Sequence, residues 1–207
     1  MSAPKGKGEI RFKAQRSEFI GLLHPLESVA QFQSKLKALK SDFPTAHHIC
    51  WAYRLHFNSE IIENSSDAGE PGGTAGLPIL NQLRKKDAVN VSLFVIRYFG
   101  GIKLGRRGLI DAYGKAAAVV IHSVTFHKWE PMIALSIEAE LNFYGDILQV
   151  ISKFESKILE NNSNANLKLR INIPAKKRKE LSESLMSGAF GKVIIKRSER
   201  DPNQGGY

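Results

Sequence analysis

One cysteine, Cys50, is all that this chain of 207 residues holds. That excludes an internal disulfide framework and a thiolate metal cluster, and it fits a reducing compartment. No apolar run approaches the ~18 residues of a membrane span, and the opening MSAPKGKGEIRF has no apolar core of a secretory signal. No G-x-x-x-x-G-K-[ST] phosphate loop occurs, and Gly-Gly-Ile-Lys-Leu-Gly is only superficially a dinucleotide fingerprint. The protein is expected to be soluble and cytoplasmic, with no membrane partner. Acid is also scarce: 20 Asp and Glu stand against 30 Lys and Arg, a formal net charge of +10.

Located along the chain, that charge is uneven. Residues 84–115 carry Arg84, Lys85, Lys86, Arg97, Lys103, Arg106, Arg107 and Lys115 against Asp87 and Asp111. Such a field attracts polyanions and makes their binding salt-sensitive. Two glycine-rich stretches, Ser66–Gly76 and Arg97–Gly108, hold eight of the 17 glycines, and the second contains four cations and no acid. Clustered glycine marks backbone that must turn through positive φ or approach something closely.

Around these stretches the periodicity predicts an α+β chain. Strands are expected over 9–14 and 18–24, then a helix capped by Ser28 with apolar Val29, Phe32, Leu36 and Leu39, stopped at Asp42-Phe43-Pro44. His48–Leu55 alternates, with Ile49, Trp51, Tyr53 and Leu55 on one face and His48, Cys50, Ala52 and Arg54 on the other, and reads as a half-buried strand. A partner strand near Glu60–Asn64, a helix from Leu77 to Lys86, a central strand Val89–Tyr98 and a long helix Leu109–Val124 follow. Beyond Lys128 the pattern restarts as β-α-β-β-α-β, the ferredoxin-like order. The expected division is therefore 1–128, 129–200 and a frayed tail, 201–207.

In three parts that fall in order, His48–Tyr53, Asp67–Leu80 and Arg97–Gly114, the chain resembles the IMPACT/YigZ family, whose members are linked to translation control. The resemblance implies a first domain similar to the fold shared by the second domain of a small-subunit ribosomal protein and domain IV of elongation factor G. It implies a second domain similar to that factor's ferredoxin-like domain V, and an RNA or ribosome partner; eukaryotic relatives act by protein binding. Two departures stand out. Ala68 occupies the place of a second acid, and Arg106 and Arg107 stand where the family has small residues.

Several chemistries compete for the same residues. Asp67 and Glu70 are spaced to share a Mg²⁺ with phosphate; the alternative is that Asp67 caps its turn and Glu70 pairs with a cation such as Arg97. His48 and Cys50 share a strand face, but no further ligand accompanies them and no catalytic residue is assigned. Successive backbone N–H groups at a helix start form an anion site. The leading expectation is a non-enzymatic protein that binds RNA or the ribosome and modulates translation. Arg97, Lys103, Arg106, Arg107 and Lys115 would supply phosphate contacts, and Tyr98, with Phe99, a stacking ring. The motif loop comprises His48, Asp67, Gly69, Glu70, Gly73, Thr74, Gly76, Gly100, Gly101 and Gly105. No cofactor is expected, Mg²⁺ being the one candidate. The alternatives are an enzyme for a phosphorylated or nucleotide substrate working through Asp67 and Glu70, and a regulator that binds protein.

Overall fold

Alternating apolar strands flanked by amphipathic helices produce three hydrophobic cores in a computed structural model that describes residues 1–57, 60–188 and 192–198. The expected tail, 201–207, lies outside the described residues. The chain divides into two compact units, Met1–Trp129 and Glu130–Tyr207.

In the first unit, β2 (Gly8–Ala14), β3 (Ser17–Pro25), β4 (His48–Phe57), β5 (Glu60–Ser66) and β6 (Val91–Tyr98) form an antiparallel sheet of order β2-β3-β6-β4-β5. Helix α1 (Val29–Asp42) covers one face and α2 (Gly76–Lys85) and α3 (Gly105–Ser123) the other. The Ser28 hydroxyl accepts from the Gln31 N–H at 3.1 Å and caps α1 as expected. Phe32 fixes that helix to the sheet, its ring 4.7 Å from both Trp51 and Tyr53 and stacked 5.4 Å from Phe94.

Strand β4 is not half-buried. It lies between β6 and β5 with helices over both faces: Cys50 and Ala52 enter the α2/α3 core, and Tyr53 and Leu55 the α1 core. A further pairing has no counterpart in the sequence pattern. Strand β1 (Ser2–Pro4) joins β7 (Phe126–Lys128), tying together the two ends of the unit.

The second unit contains β8 (Met132–Glu140), α4 (Tyr144–Ser152), β9 (Lys157–Asn161), β10 (Asn166–Pro174), α5 (Arg178–Ser187) and β11 (Ile194–Arg197). Its four strands are antiparallel in the order β11-β8-β10-β9. Alternate residues of β8 and β10, among them Leu135, Ile137, Leu169 and Ile171, pack against Ile147, Ile151, Leu181 and Leu185 of the helices. Just before α5, Lys176 pairs with Glu130 at 2.8 Å and Lys177 with Glu180 at 3.3 Å.

Candidate nucleic-acid interface

Both glycine stretches lead into the helices over one sheet face, so their geometry follows from how α2 and α3 start. The first loop is built around Asp67. Its Oδ2 accepts from Gly73 N–H at 2.8 Å, and its Oδ1 from Ala75 and Gly76 N–H at 2.9 and 2.8 Å. These are donors that the start of α2 leaves without an intrahelical partner. Burial acts to raise the Asp67 pKa, but the three N–H groups and the nearby Arg106 charge prevail and hold the carboxyl below its ordinary range. Gly76 must be glycine for a steric reason, because a Cβ there would lie 2.7 Å from the Ser66 backbone. Thr74, fully buried, donates its hydroxyl to the Pro71 carbonyl at 2.7 Å.

Glu70 turns inward instead of toward solvent. Its Oε1 accepts from Arg97 Nη1 at 2.6 Å and from the Tyr113 hydroxyl at 2.8 Å, with His48 Nε2 at 3.9 Å. His48 Nδ1 lies 3.0 Å from the Ala68 carbonyl, and the Cys50 thiol donates to the Asp67 carbonyl at 2.9 Å. Burial pushes the Cys50 thiol up to about 12, with the Glu70 and Asp67 charges adding to it. Burial likewise raises the Tyr113 hydroxyl. A thiol so placed is a packed donor, not a nucleophile.

Arg97 is corrected by this arrangement. At 5% exposure it is paired with Glu70, its Nη2 reaches Ser17 Oγ at 3.3 Å, and its guanidinium lies 5.6 and 5.4 Å from the Phe19 and Phe99 ring centres. It is an interior ion pair and is withdrawn from the phosphate contacts. One signal in the sequence pointed to this: a single charge in a central apolar strand needs an internal partner, and the loop offers Glu70. Tyr98 and Phe99 differ in exposure. Tyr98 packs partly buried against the α1-side core, and Phe99, 39% exposed, is the ring that faces solvent.

The second stretch is tighter than a flexible hairpin. Gly100 sits where a Cβ would come within 2.0 Å of the Arg16 carbonyl oxygen, and its N–H reaches Ser17 Oγ at 3.3 Å. Gly69, Gly73, Gly101 and Gly105 have positive φ. Helix α3 begins at Gly105, four residues before the expected start, so Arg106 and Arg107 form its first turn and not a loop. No side chain caps that end, and its first turn holds no acid. Arg106 Nη2 donates to the Gly72 carbonyl at 2.9 Å, joining the two loops, and Arg107 pairs with Asp111 at 3.2 Å. Lys103 and Lys115 are exposed, Lys115 Nζ lying 5.2 Å from the Phe12 ring centre.

Residues 15–121, which span both glycine stretches with Asp67, Glu70 and Arg97, match the Impact N-terminal domain. This chain belongs to the IMPACT family. IMPACT family member YigZ of Escherichia coli (strain K12) is 29% identical over 183 residues, covering 87% of this chain and 89% of the relative. IMPACT family member YvyE of Bacillus subtilis (strain 168) is 30% identical over 195 residues, covering 94% and 89%. A crystal structure described as that of a hypothetical protein superposes with a TM-score of 0.66 at 27% identity, covering 97% of this chain and 98% of that one. In this IMPACT-family chain the stretches that carried the resemblance come together over one sheet face, around the Asp67 and Glu70 loop and the start of α3.

Proposed function

We propose that the protein modulates translation by binding RNA or the ribosome, without a catalytic step of its own. One observation carries the reading. Lys103, Arg106 and Arg107 are exposed around the uncapped start of a 19-residue helix with no acid in its first turn, and Lys115 is exposed about 15 Å further along the same helix. Cations at a helix N-terminus oppose the macrodipole, so that end is electrostatically unfavourable alone and favourable once an anion arrives. Exposed Phe99 and Ile102 beside it supply a ring and an aliphatic contact for an unstacked base. The inward engagement of both Asp67 and Glu70 supports binding over chemistry at the loop.

The same proposal extends to the fold relationships. The β-α-β-β-α-β order and the β11-β8-β10-β9 arrangement support a ferredoxin-like second unit. A first unit akin to elongation factor G domain IV would bring the basic end toward ribosomal RNA.

Co-sedimentation with ribosomes and titration of a single-stranded oligoribonucleotide, each at a series of salt concentrations, test this. Arg106→Glu/Arg107→Glu is expected to weaken binding at least tenfold and to flatten the logarithmic salt slope by roughly 1–2. Unchanged affinity and slope would refute it. Thermal stabilisation by a nucleotide with Mg²⁺ would instead favour the enzymatic alternative.

A further inference from the structure

Away from the arginine-bearing start of α3, the exposed sides of α2 and α3 leave an open groove between them. Its floor is aliphatic: Leu77, Pro78, Ile110 and Ala118, with Gly114 keeping the centre low. Leu77, in the first turn of α2, is 46% exposed and Ile110 of α3 38%, so both present apolar surface to the groove. Leu80 and Leu83 of α2 and Leu109, Tyr113 and Ala117 of α3 enter the core, so Leu77 and Ile110 belong to neither helix's inward stripe.

The rim is basic. Lys85 and Lys115 stand on it, neither ion-paired with a carboxylate among the described residues, and the Lys115 ammonium lies 5.2 Å from the Phe12 ring centre of β2. Asp111, the one acid lining the groove, is already held by Arg107. Asn81 and Gln82 complete the polar edge. The groove therefore presents apolar surface flanked by unneutralised positive charge.

We propose that this groove is a docking site for an acidic amphipathic helix of a partner protein. Apolar side chains at positions i, i+3, i+4 and i+7 of such a helix fill the space over Leu77 and Ile110, and its flanking carboxylates meet Lys85 and Lys115. The ten residues of α2 make a trough about 15 Å long, enough for roughly three helical turns of guest. RNA fits this surface less well than it fits the start of α3. No aromatic ring lines the groove to stack a base, and an aliphatic floor gives nothing to a phosphate chain. The two readings share Lys115 and are separated by Arg106 and Arg107, which lie outside the groove, and by Leu77 and Ile110, which line it.

The test is a display selection with a library of random 16-residue peptides against the full chain, counter-selected on the Leu77→Ser/Ile110→Ser variant. The recovered consensus is then synthesised and titrated by fluorescence anisotropy. Peptides rich in Asp and Glu with apolar residues three and four apart are expected. Their affinity should fall at least tenfold in Leu77→Ser/Ile110→Ser and again in Lys85→Glu/Lys115→Glu, both checked for native circular dichroism. Both apolar positions are exposed, so those substitutions leave the core untouched. No selected peptide, peptides without this pattern, or equal binding by both variants would overturn the proposal. So would displacement of the peptide by a 20-nucleotide oligouridylate that itself loses affinity in Leu77→Ser/Ile110→Ser, since the groove would then belong to RNA. Failure of the RNA reading would show at Arg106 and Arg107 instead, leaving peptide binding intact.

Discussion

Arg97 and Glu70 form a buried charge pair with an aromatic lining, and such pairs behave asymmetrically on mutation. Glu70→Gln keeps the shape and most of the hydrogen bonding but leaves a cation in the interior. A loss of about 3–5 kcal/mol, read from the urea midpoint, is expected. Pairing it with Arg97→Met should restore part of that loss by removing the stranded charge. If Glu70→Gln is as stable as the native chain, the pair is not what holds Arg97. Cys50 gives a second check: the native protein should resist iodoacetamide at pH 8, and alkylation should track global unfolding in denaturant. These interior roles were only half legible in the sequence. The Asp67 cap and the Glu70–Arg97 pairing were foreseen as alternatives. Linear charge density nonetheless places Arg97 among the surface cations, because it does not distinguish a side chain aimed inward from one aimed outward.

At the scale of elements, steric contact separates the glycines of one loop. Gly76→Ala forces a Cβ to 2.7 Å from backbone, whereas Gly72 has nothing within 4 Å of the same atom. Overpacking of that kind costs about 1–3 kcal/mol. Thermal melts should therefore show a clear fall in Tm for Gly76→Ala and almost none for Gly72→Ala; equal effects would mean the close approach is relieved elsewhere. The long elements were readable because each buries a stripe of regular period. The start of α3 was not, since Gly105 and Gly108 disguise a first turn as a loop. Strands β1 and β7, three residues each, are too short to display any period. His48 and Arg54 mimic a solvent side, and this hides the burial of β4 on both faces. Each has an internal acceptor, His48 the Ala68 carbonyl and Arg54 Glu63 with the Ala88 carbonyl.

For the molecule as a whole, ionisation frames a pH window of stability. Burial, with Lys35 and Lys7 nearby, lowers His24 to about 4, and Asp67 and Glu63 also titrate below their ordinary values, Glu63 chiefly through Arg84. Groups with depressed pKa stabilise the fold above their unfolded values and lose that contribution as pH falls, so stability should decline from about pH 6.5 downward. Cys50 and Tyr113 are raised. The unfolded chain releases those protons at lower pH than the folded one, so stability should also fall as pH rises above about 9. Urea midpoints measured across pH are expected to plateau between these limits, and His24→Gln should flatten the slope between about pH 6.5 and 4. A midpoint that keeps rising beyond pH 9 would contradict the enclosed thiol and phenol.

The pairing of Ser2–Pro4 with Phe126–Lys128 bears on biosynthesis. Phe126–Lys128 is synthesised only after more than a hundred codons beyond Ser2–Pro4 have been read. At roughly 5–20 residues per second, the amino-terminal strand waits on the order of 5–25 s with an unfilled edge. Closure of the first unit is thus timed by the passage of residue 128 through the exit tunnel, and nascent chains stalled before and after that point should differ sharply in protease resistance.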